Sequence, residues 1–246
     1  MEDPSSPSEM SRRAFQRLYL DEQMHHSSGW FDDATVSLNA AQARKSERLS
    51  TLLELEPGMT VLDVGCSWGA FARWMAERGA EVTGITLEPE HAESSPRTPG
   101  LNIAVQRWQD YSGTVDRVAC INALENFDER PRFFRSLRHW LRPGGRAVIW
   151  TVTAESSVYR VPSVSEVLTW SEDAGLEILS ATTGLAHHYA TTLEHFVSNL
   201  QAASIPAEDR ITEEVRSRRL RFYDMSRRLL ETGRNDMVEV CFQRRP

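Results

Sequence analysis

A glycine-rich turn stands between an apolar run and a helix-like stretch early in the chain. The run begins at Thr60, and the turn from Asp63 to Gly69 reads DVGCSWG. Gly65 can form a tight bend that lets the backbone approach a ligand, and the helix that follows offers unpaired N–H groups. This combination favours a nucleotide-type site. The alternative is a bend that needs glycine for its geometry alone.

Polar and aromatic side chains follow the next two apolar runs. Thr86 and Glu88 come after the second run, where nucleotide-binding sheets meet a ribose, and either side chain can bond a hydroxyl. Trp108 and Gln109 come after the third run and offer a ring face and an amide to an adenine. For Trp108 the alternative is a packing role in the core.

A carboxylate follows the fourth apolar run. Glu125 lies in the segment NALENF, at the edge of the expected sheet where open α/β folds bind their ligands. This location makes Glu125 a candidate catalytic group, with a solvated surface carboxylate as the alternative.

Histidines and arginines also cluster in the chain. The pairs His25-His26 and His187-His188 lack the i, i+4 spacing and nearby acid of a helical metal site, so no metal is predicted. The arginines from Arg216 to Arg221 fit a solvated helix face better than a phosphate site, because acidic residues precede them.

Apolar runs alternate with helical periodicity along most of the chain, which predicts an α/β fold. The fold class is a doubly wound, mostly parallel seven-stranded sheet with a helical lid. The predicted strands are 60–65, 81–86, 102–107, 116–121, 146–153, 176–181 and 237–243. The predicted helices are 12–20, 38–55, 69–78, 130–141, one from Pro162 to 174, and two between 189 and 231. Two prolines and a glycine in 91–100 make the helix before the third strand short or missing.

The elements outside the sheet predict the domain organisation. Residues 1–10 are expected to be a disordered tail, and 11–246 a single domain. Within it, 11–56 holds N-terminal helices and 183–234 forms the lid over the carboxyl ends of the strands.

Composition limits the classes of partner. Of 246 residues 40% are hydrophobic and 26% charged, and the net charge of -7 disfavours nucleic acid and anionic membranes. No apolar run approaches the roughly 20 residues of a membrane span, and the three cysteines show no metal-type spacing. We therefore expect a cytoplasmic protein with a small-molecule substrate, no nucleic acid and no membrane insertion, and both a monomer and a homodimer stay open.

From Phe15 onward the chain resembles the cyclopropane-fatty-acid and mycolic-acid synthase family of S-adenosylmethionine-dependent methyltransferases. The turn at 61–69 is similar to the family's VLDIGCGWG, with Ser67 for a glycine. The similarity extends to the family's Thr-Leu-(x)3-Gln, Trp-Glu, Ile-(x)3-Glu and HYARTL segments, which correspond here to Thr86-Leu87 with His91, Trp108-Gln109, Ile121 with Glu125, and 188–193. The family's entry segment carries a Tyr-Ser pair that reaches the cofactor, and the matching pair here is His26-Ser27.

The resemblance implies that the predicted sheet is a Rossmann-like methyltransferase fold and that the cofactor is S-adenosyl-L-methionine. The residues that it assigns to cofactor binding are His26, Ser27, Asp63, Gly65, Cys66, Ser67, Gly69, Thr86, Leu87, His91, Trp108, Gln109 and Ile121.

Departures from the family concern its basic anion. In the family a carboxylate, a tyrosine, a histidine and a cysteine-bearing loop hold a bicarbonate that acts as the base. Glu125 and Tyr189 match, but Trp150 stands at the histidine and Ser28 at the loop cysteine. We therefore expect this anion site to be altered or lost, which argues against a lipid-tail acceptor.

The expected reaction is methylation of carbon in a small hydrophobic or aromatic metabolite, indole-type or isoprenoid, in secondary metabolism. Glu125 is the expected base, oriented by Tyr189, with His26 as a further catalytic candidate. The residues expected to contact the acceptor are Trp30, Trp150, Tyr189 and His188. The aromatic faces among them could stabilise a cationic intermediate by about 0.5 to 2 kcal/mol each.

Three other functions fit the same residues. An N- or O-methyltransferase would share the cofactor half of the fold, and a cyclopropane synthase would act on an unsaturated acyl chain. A cofactor-binding or scaffolding protein without catalysis is suggested by the substitutions at Ser67, His91 and Trp150.

Overall fold

A seven-stranded sheet forms the centre of the molecule. The computed structural model describes residues 10–33, 35–154, 161–205 and 210–246. The strands are β1 Thr60–Val64, β2 Glu81–Thr86, β3 Leu101–Val105, β4 Val115–Ile121, β5 Leu141–Ala154, β6 Leu176–Thr182 and β7 Asn235–Arg244. Their order is β3-β2-β1-β4-β5-β7-β6; β1 to β5 run parallel, and β7 is antiparallel to both β5 and β6. The predicted fold class is confirmed.

Eight α-helices flank the sheet in the described residues. They are α1 Arg12–Arg17, α2 Leu38–Leu52, α3 Ala70–Ala76, α4 Pro89–Glu93, α5 Arg130–Trp140, α6 Val164–Asp173, α7 Ala186–Ala202 and α8 Arg210–Glu231. Serines begin several of them: the Ser37 hydroxyl accepts a hydrogen bond from the Ala40 N–H, and Ser163 forms a reciprocal capping pair with Glu166. Helix α4 has only five residues, as the prolines in this segment predict.

Several boundaries differ from the sequence prediction by up to five residues. Helix α1 ends at Arg17 rather than near residue 20. Strand β5 begins at Leu141, five residues earlier than expected, because Leu141 already pairs with Val115 of β4. The proline and two glycines at 143–145 therefore lie within β5, and regular pairing resumes at Arg146.

The core divides into two layers, one on each face of the sheet. Neighbouring strand residues point to opposite faces, so Val61 joins one layer and Leu62 the other. In β5, Val148 and Trp150 belong to the first layer, together with residues of α1, α2, α3, α7 and α8. The N-terminal helices α1 and α2 and the late helices α7 and α8 thus pack on the same face of the sheet.

The predicted tail lies outside the described residues except for Met10, which packs against the first layer. The predicted domain boundaries remain a prediction. No helix in the described part of the chain combines the length and the apolar character that crossing a bilayer requires.

Candidate active site

The carboxyl ends of β1 and β4 lie side by side in the middle of the sheet. From β1 the chain continues toward β2 and β3, and from β4 it continues toward β5 on the other side. Open α/β sheets bind ligands in the crevice that such a reversal creates. The glycine turn follows β1 and the Glu125 segment follows β4, so both predicted motifs meet at this crevice.

The glycine turn has the backbone geometry that the sequence predicts. Gly65 has a φ of 78°, and a Cβ added there would lie 2.6 Å from the Cβ of Ala123. Gly69 begins α3 with a φ of 73°, and a Cβ there would collide with the Ile103 side chain. Ser67, which stands at a glycine of the family motif, also has a positive φ of 51°. The turn is therefore held in a conformation that favours glycine.

His26 lies where three cavities come together. It lines cavities of about 520, 110 and 480 Å³, which we name the ribose-side, turn and acceptor cavities. Its Nε2 is 3.1 Å from the hydroxyl oxygen of Tyr223. Burial, helped by the charge of Arg219, lowers the pKa of His26 to about 4, so the imidazole is neutral near pH 7.

The turn cavity carries an acid, a cation and a hydroxyl. Lys45 Nζ donates to Ser27 Oγ and to Gln42 Oε1, both at 2.7 Å. Burial raises the pKa of Asp63 to about 7 and lowers that of Lys45 to about 7. This donor set suits a ligand end that bears both an amino group and a carboxylate, as S-adenosylmethionine does. The remaining predicted cofactor residues at this cavity are His26, Gly65, Cys66, Ser67 and Ile121.

The ribose-side cavity is lined by Glu88 and His91 at the end of β2. Thr86 Oγ1 lies 3.1 Å from His91 Nδ1, and Arg12 holds Glu88 at 2.7 Å. Leu87 is 68% exposed and lines none of the three cavities. Of the predicted ribose segment, Glu88 and His91 therefore line a cavity, whereas Thr86 and Leu87 line none of the three.

The predicted adenine pair lies apart from the three cavities. Trp108 is buried against Phe127, Phe133 and Trp140, with ring centroids 5.5 to 6.4 Å away. Gln109 Nε2 donates to a Glu129 oxygen at 3.5 Å. Trp108 has the packing environment that the alternative interpretation described, and its contact with the cofactor stays a prediction.

Glu125 is fixed at the acceptor cavity by two hydrogen bonds. Its Oε1 accepts from Asn122 Nδ2 at 3.1 Å, and its Oε2 accepts from Thr151 Oγ1 at 2.7 Å. Burial raises the pKa of this carboxyl above its ordinary value. Tyr189 lines the same cavity, and burial together with the Glu125 charge raises the pKa of its phenol. The cavity thus holds a basic carboxylate beside a neutral phenol.

Three residues expected to contact the acceptor lie elsewhere. Trp150 is fully buried in the first core layer and does not line the acceptor cavity, although Val152, two residues later on the same face of β5, does. His188 is also buried, and its Nδ1 accepts from the Phe31 N–H at 3.1 Å. Trp30 stacks on His188 and carries the Arg48 guanidinium 4.1 Å above its ring. In this structure only Tyr189 of the four predicted contacts reaches the cavity.

Two site residues were missed from the sequence. Asn122 has a φ of 47°. Its side chain donates to Glu125 and accepts from the Ser28 N–H at 3.2 Å, so it connects Glu125 to the N-terminal segment next to His26. An asparagine directly after a strand was the available signal, since this residue tolerates the left-handed region. Lys45 shares the buried face of α2 with Leu38 and Leu49. A lysine on an otherwise buried helix face could have marked it.

His188 should make folding sensitive to acid. Burial lowers its pKa in the folded protein to about 4, against 6.5 ordinarily, and its hydrogen bond from Phe31 requires an unprotonated Nδ1. The stability that it provides is therefore present above pH 6.5 and is lost as the pH falls through 4. The free energy of unfolding, measured with urea at pH 7 and pH 4.5, should fall between the two pH values in the parent protein. In His188→Asn this fall should be smaller by about 1 to 3 kcal/mol.

The control for this prediction is His139→Asn, at an exposed position on α5. It should leave the acid dependence as in the parent protein. His188→Asn should reduce the dependence without abolishing it, because the pKa of His26 is also lowered. An unchanged acid dependence in His188→Asn would contradict the prediction.

Comparison with known proteins gives a consistent result. A family model described as Mycolic acid cyclopropane synthetase matches residues 8–240. Cyclopropane mycolic acid synthase 3 of Mycobacterium tuberculosis is 26% identical to this chain, with 94% of this chain and 93% of the relative covered. The solved structure of the cyclopropane synthase MmaA2 from Mycobacterium tuberculosis superposes with a TM-score of 0.85 at 25% identity, covering 93% of each chain.

A second solved structure, of the mycolic acid cyclopropane synthase CmaA1 complexed with SAH and CTAB, has a TM-score of 0.84 at 26% identity, covering 93% of each chain. Together these matches confirm the resemblance stated from the motifs. They also confirm the predicted enzyme class, an S-adenosylmethionine-dependent methyltransferase, and its cofactor.

Proposed function

Because the chain belongs to the mycolic acid cyclopropane synthetase family, we propose that it methylates a carbon atom of a small hydrophobic or aromatic metabolite. The acceptor class is an indole-type or isoprenoid compound of secondary metabolism. The observation that carries the proposal is Glu125, a buried carboxylate of raised pKa at the wall of the acceptor cavity. Methylation of an alkene or ring carbon forms a cation that must lose a proton, and this step needs a base.

The cavity suits an acceptor of modest size. Its volume of about 480 Å³ falls within the range of small-molecule sites, roughly 300 to 1,000 Å³. Val152, Phe222, Met225 and Leu229 supply apolar surface, while Glu125 supplies the base. These apolar side chains would exclude water and hold the acceptor carbon against the carboxylate.

The residues of the turn and ribose-side cavities would hold the cofactor. Lys45, Asp63 and Ser27 would bind its amino-acid end, and Glu88 with His91 its ribose. When bound, S-adenosylmethionine supplies an electrophilic sulfonium methyl group. Glu125 then takes the proton that the methylated carbon releases, while Asn122 and Thr151 keep its two oxygens oriented.

A cyclopropane synthase acting on an unsaturated acyl chain is the second candidate, supported by the family match. Both candidates need a methyl donor and a base, so they differ in the acceptor and in the fate of the added carbon. Loss of a proton from the new methyl group would close a ring, whereas loss from the acceptor carbon would leave a methylated alkene or arene.

Incubation with isotopically labelled S-adenosylmethionine tests the proposal. Metabolite extracts and an unsaturated acyl panel are screened for a mass gain of one methyl, and the labelled carbon is located by NMR. We expect label in a C-methyl group of a small alkene or arene. Label on nitrogen or oxygen, or in a cyclopropane ring, would replace the proposal by the corresponding alternative.

A further inference from the structure

One cation faces the acceptor cavity from helix α8. Arg219 lines both the acceptor cavity and the ribose-side cavity, and it is partly buried. Among the described residues that line the acceptor cavity, no other is a lysine or an arginine. The positive charge of Arg219 acts on the site electrostatically, since it helps to lower the pKa of His26. Arg219 therefore differs from the solvated arginine face that the sequence predicts for 216–221.

Arg219 also differs from the three arginines of α8 that form ion pairs within the described residues. Arg216 pairs with Glu213 at 2.7 Å, and Arg227 and Arg228 both pair with Asp224, at 3.1 and 2.9 Å. No carboxylate in the described part of the chain lies within ion-pair distance of Arg219. Its contact is with Tyr223, whose ring centroid is 5.6 Å from the guanidinium carbon.

The carboxylate in the same cavity has other partners. Both oxygens of Glu125 accept hydrogen bonds, from Asn122 and Thr151. The Arg219 guanidinium is partly buried and therefore loses some of its hydration. No ion pair with a carboxylate of the described residues compensates for this loss. A bound anion would do so, and a planar fork of N–H donors matches a carboxylate or phosphate well.

An apolar strip continues from Arg219 along the same face of α8. Phe222, Met225 and Leu229 follow at helical spacing and line the acceptor cavity. Phe222 is 50% exposed and Met225 44%, which is high for side chains of this size. The face is therefore cationic at one end and apolar along the next three turns.

We propose that Arg219 binds an anionic group of the acceptor, a carboxylate or a phosphate, while the acceptor's apolar body lies along Phe222, Met225 and Leu229. The proposal rests on the proposed function and narrows its substrate class from hydrophobic metabolites to amphipathic anions. Arg219 is then a specificity-determining residue, which selects the acceptor by charge without touching the reacting carbon.

Calorimetric titration of the protein saturated with S-adenosylhomocysteine tests this inference. The ligands are matched pairs that differ in charge: indole-3-acetate against indole-3-acetamide, and octanoate against octanamide, with octyl phosphate as the phosphate arm. We expect each acid to bind about tenfold or more tightly than its amide. A tighter octyl phosphate than octanoate would identify phosphate as the preferred group, and the reverse would identify carboxylate.

Two variants link the preference to the residue. Arg219→Gln should reduce the affinity for the acids to that of the amides, measured at an S-adenosylhomocysteine concentration that saturates the variant, because Arg219 also lines the ribose-side cavity. The matched control is Arg218→Gln, which removes an exposed arginine one position away and should leave the preference intact. Equal binding of acids and amides by the parent protein, an unchanged preference in Arg219→Gln, or no binding by any of the anions would overturn the proposal.

The result can be separated from the proposed function. If a neutral acceptor is methylated on carbon while the charge preference is absent, the proposed function stands and this inference fails. If the acids bind through Arg219 but no carbon acceptor is found, the anion site stands and the proposed reaction fails.

Discussion

Replacing Glu125 by glutamine is expected to lower kcat by about 10²- to 10⁴-fold while cofactor affinity stays within about threefold of the parent value. Glutamine has nearly the same shape and can still accept from Asn122 through its carbonyl oxygen. The Thr151 hydroxyl can turn to accept from the new amide, so the local structure should survive. The lost property is the ability to take a proton, which is the role that we propose for Glu125.

A pH profile separates this role from a structural one. The carboxylate is the active form, and burial raises its pKa above the ordinary value of 4.5. The rate of the parent enzyme should therefore fall as the pH drops through that raised pKa and level off above it. Glu125→Gln should lose this acid limb along with most of its activity.

The control is Glu172→Gln, at an exposed position on α6, a helix that packs on the second core layer and contributes no residue to the acceptor cavity. It should leave both the rate and the profile unchanged. Near-normal turnover of Glu125→Gln with intact S-adenosylhomocysteine binding would rule out the proposed base. His26, which is neutral near pH 7 and lines the same cavity, would then be the next group to replace.

The sheet and the location of Glu125 could be predicted from the sequence because they depend on local signals. Strand β1 is buried along nearly its whole length and is followed directly by Gly65, so an apolar run with a glycine after it is enough to find the strand. The carboxyl edge of a parallel sheet then follows from chain direction alone. Glu125 and His26 were assigned to one site on that reasoning and on the family resemblance, and both line the acceptor cavity.

The contacts of individual aromatic residues depend on how the helices cover the sheet, which the sequence does not give. Trp150 lies on the same face of β5 as Val152, and only Val152 lines the acceptor cavity. The structure directs Trp150 into the layer of packed helices, where it is fully buried. Trp30 and His188 stack on each other in the same region, so the three residues belong to packing rather than to the acceptor cavity.

The orientation of helix α8 could not be predicted from the sequence either. The run from Arg216 to Arg221 contains four arginines, and nothing in its composition shows which one turns inward. The choice is made by the packing of α8 through Tyr223, which is buried and bonded to His26. With Tyr223 fixed, Arg219 lies one turn earlier on the same side and so faces the cavity.

Changing Gly65 to alanine is expected to abolish most cofactor binding. The new Cβ would lie 2.6 Å from the Cβ of Ala123, and the backbone φ of 78° is unfavourable for any residue with a side chain. The turn cannot move away freely, because the N–H groups of Gly65 and Cys66 both donate to the Ile85 carbonyl. We expect a loss of about 2 to 4 kcal/mol in the free energy of unfolding.

A displaced turn would no longer offer its backbone to the ligand, so the Kd of S-adenosylhomocysteine should rise by about a hundredfold or more in calorimetric titration. Gly144→Ala separates strain from function, since Gly144 has a φ of 76° with nothing within 4 Å of an added Cβ. That variant should lose only about 1 to 2 kcal/mol of stability and bind the ligand normally. Because both glycines have nearly the same φ, a large affinity loss confined to Gly65→Ala assigns the effect to crowding at the turn. Equal affinities in the two variants would place the cofactor away from the turn and remove the basis of the proposed site.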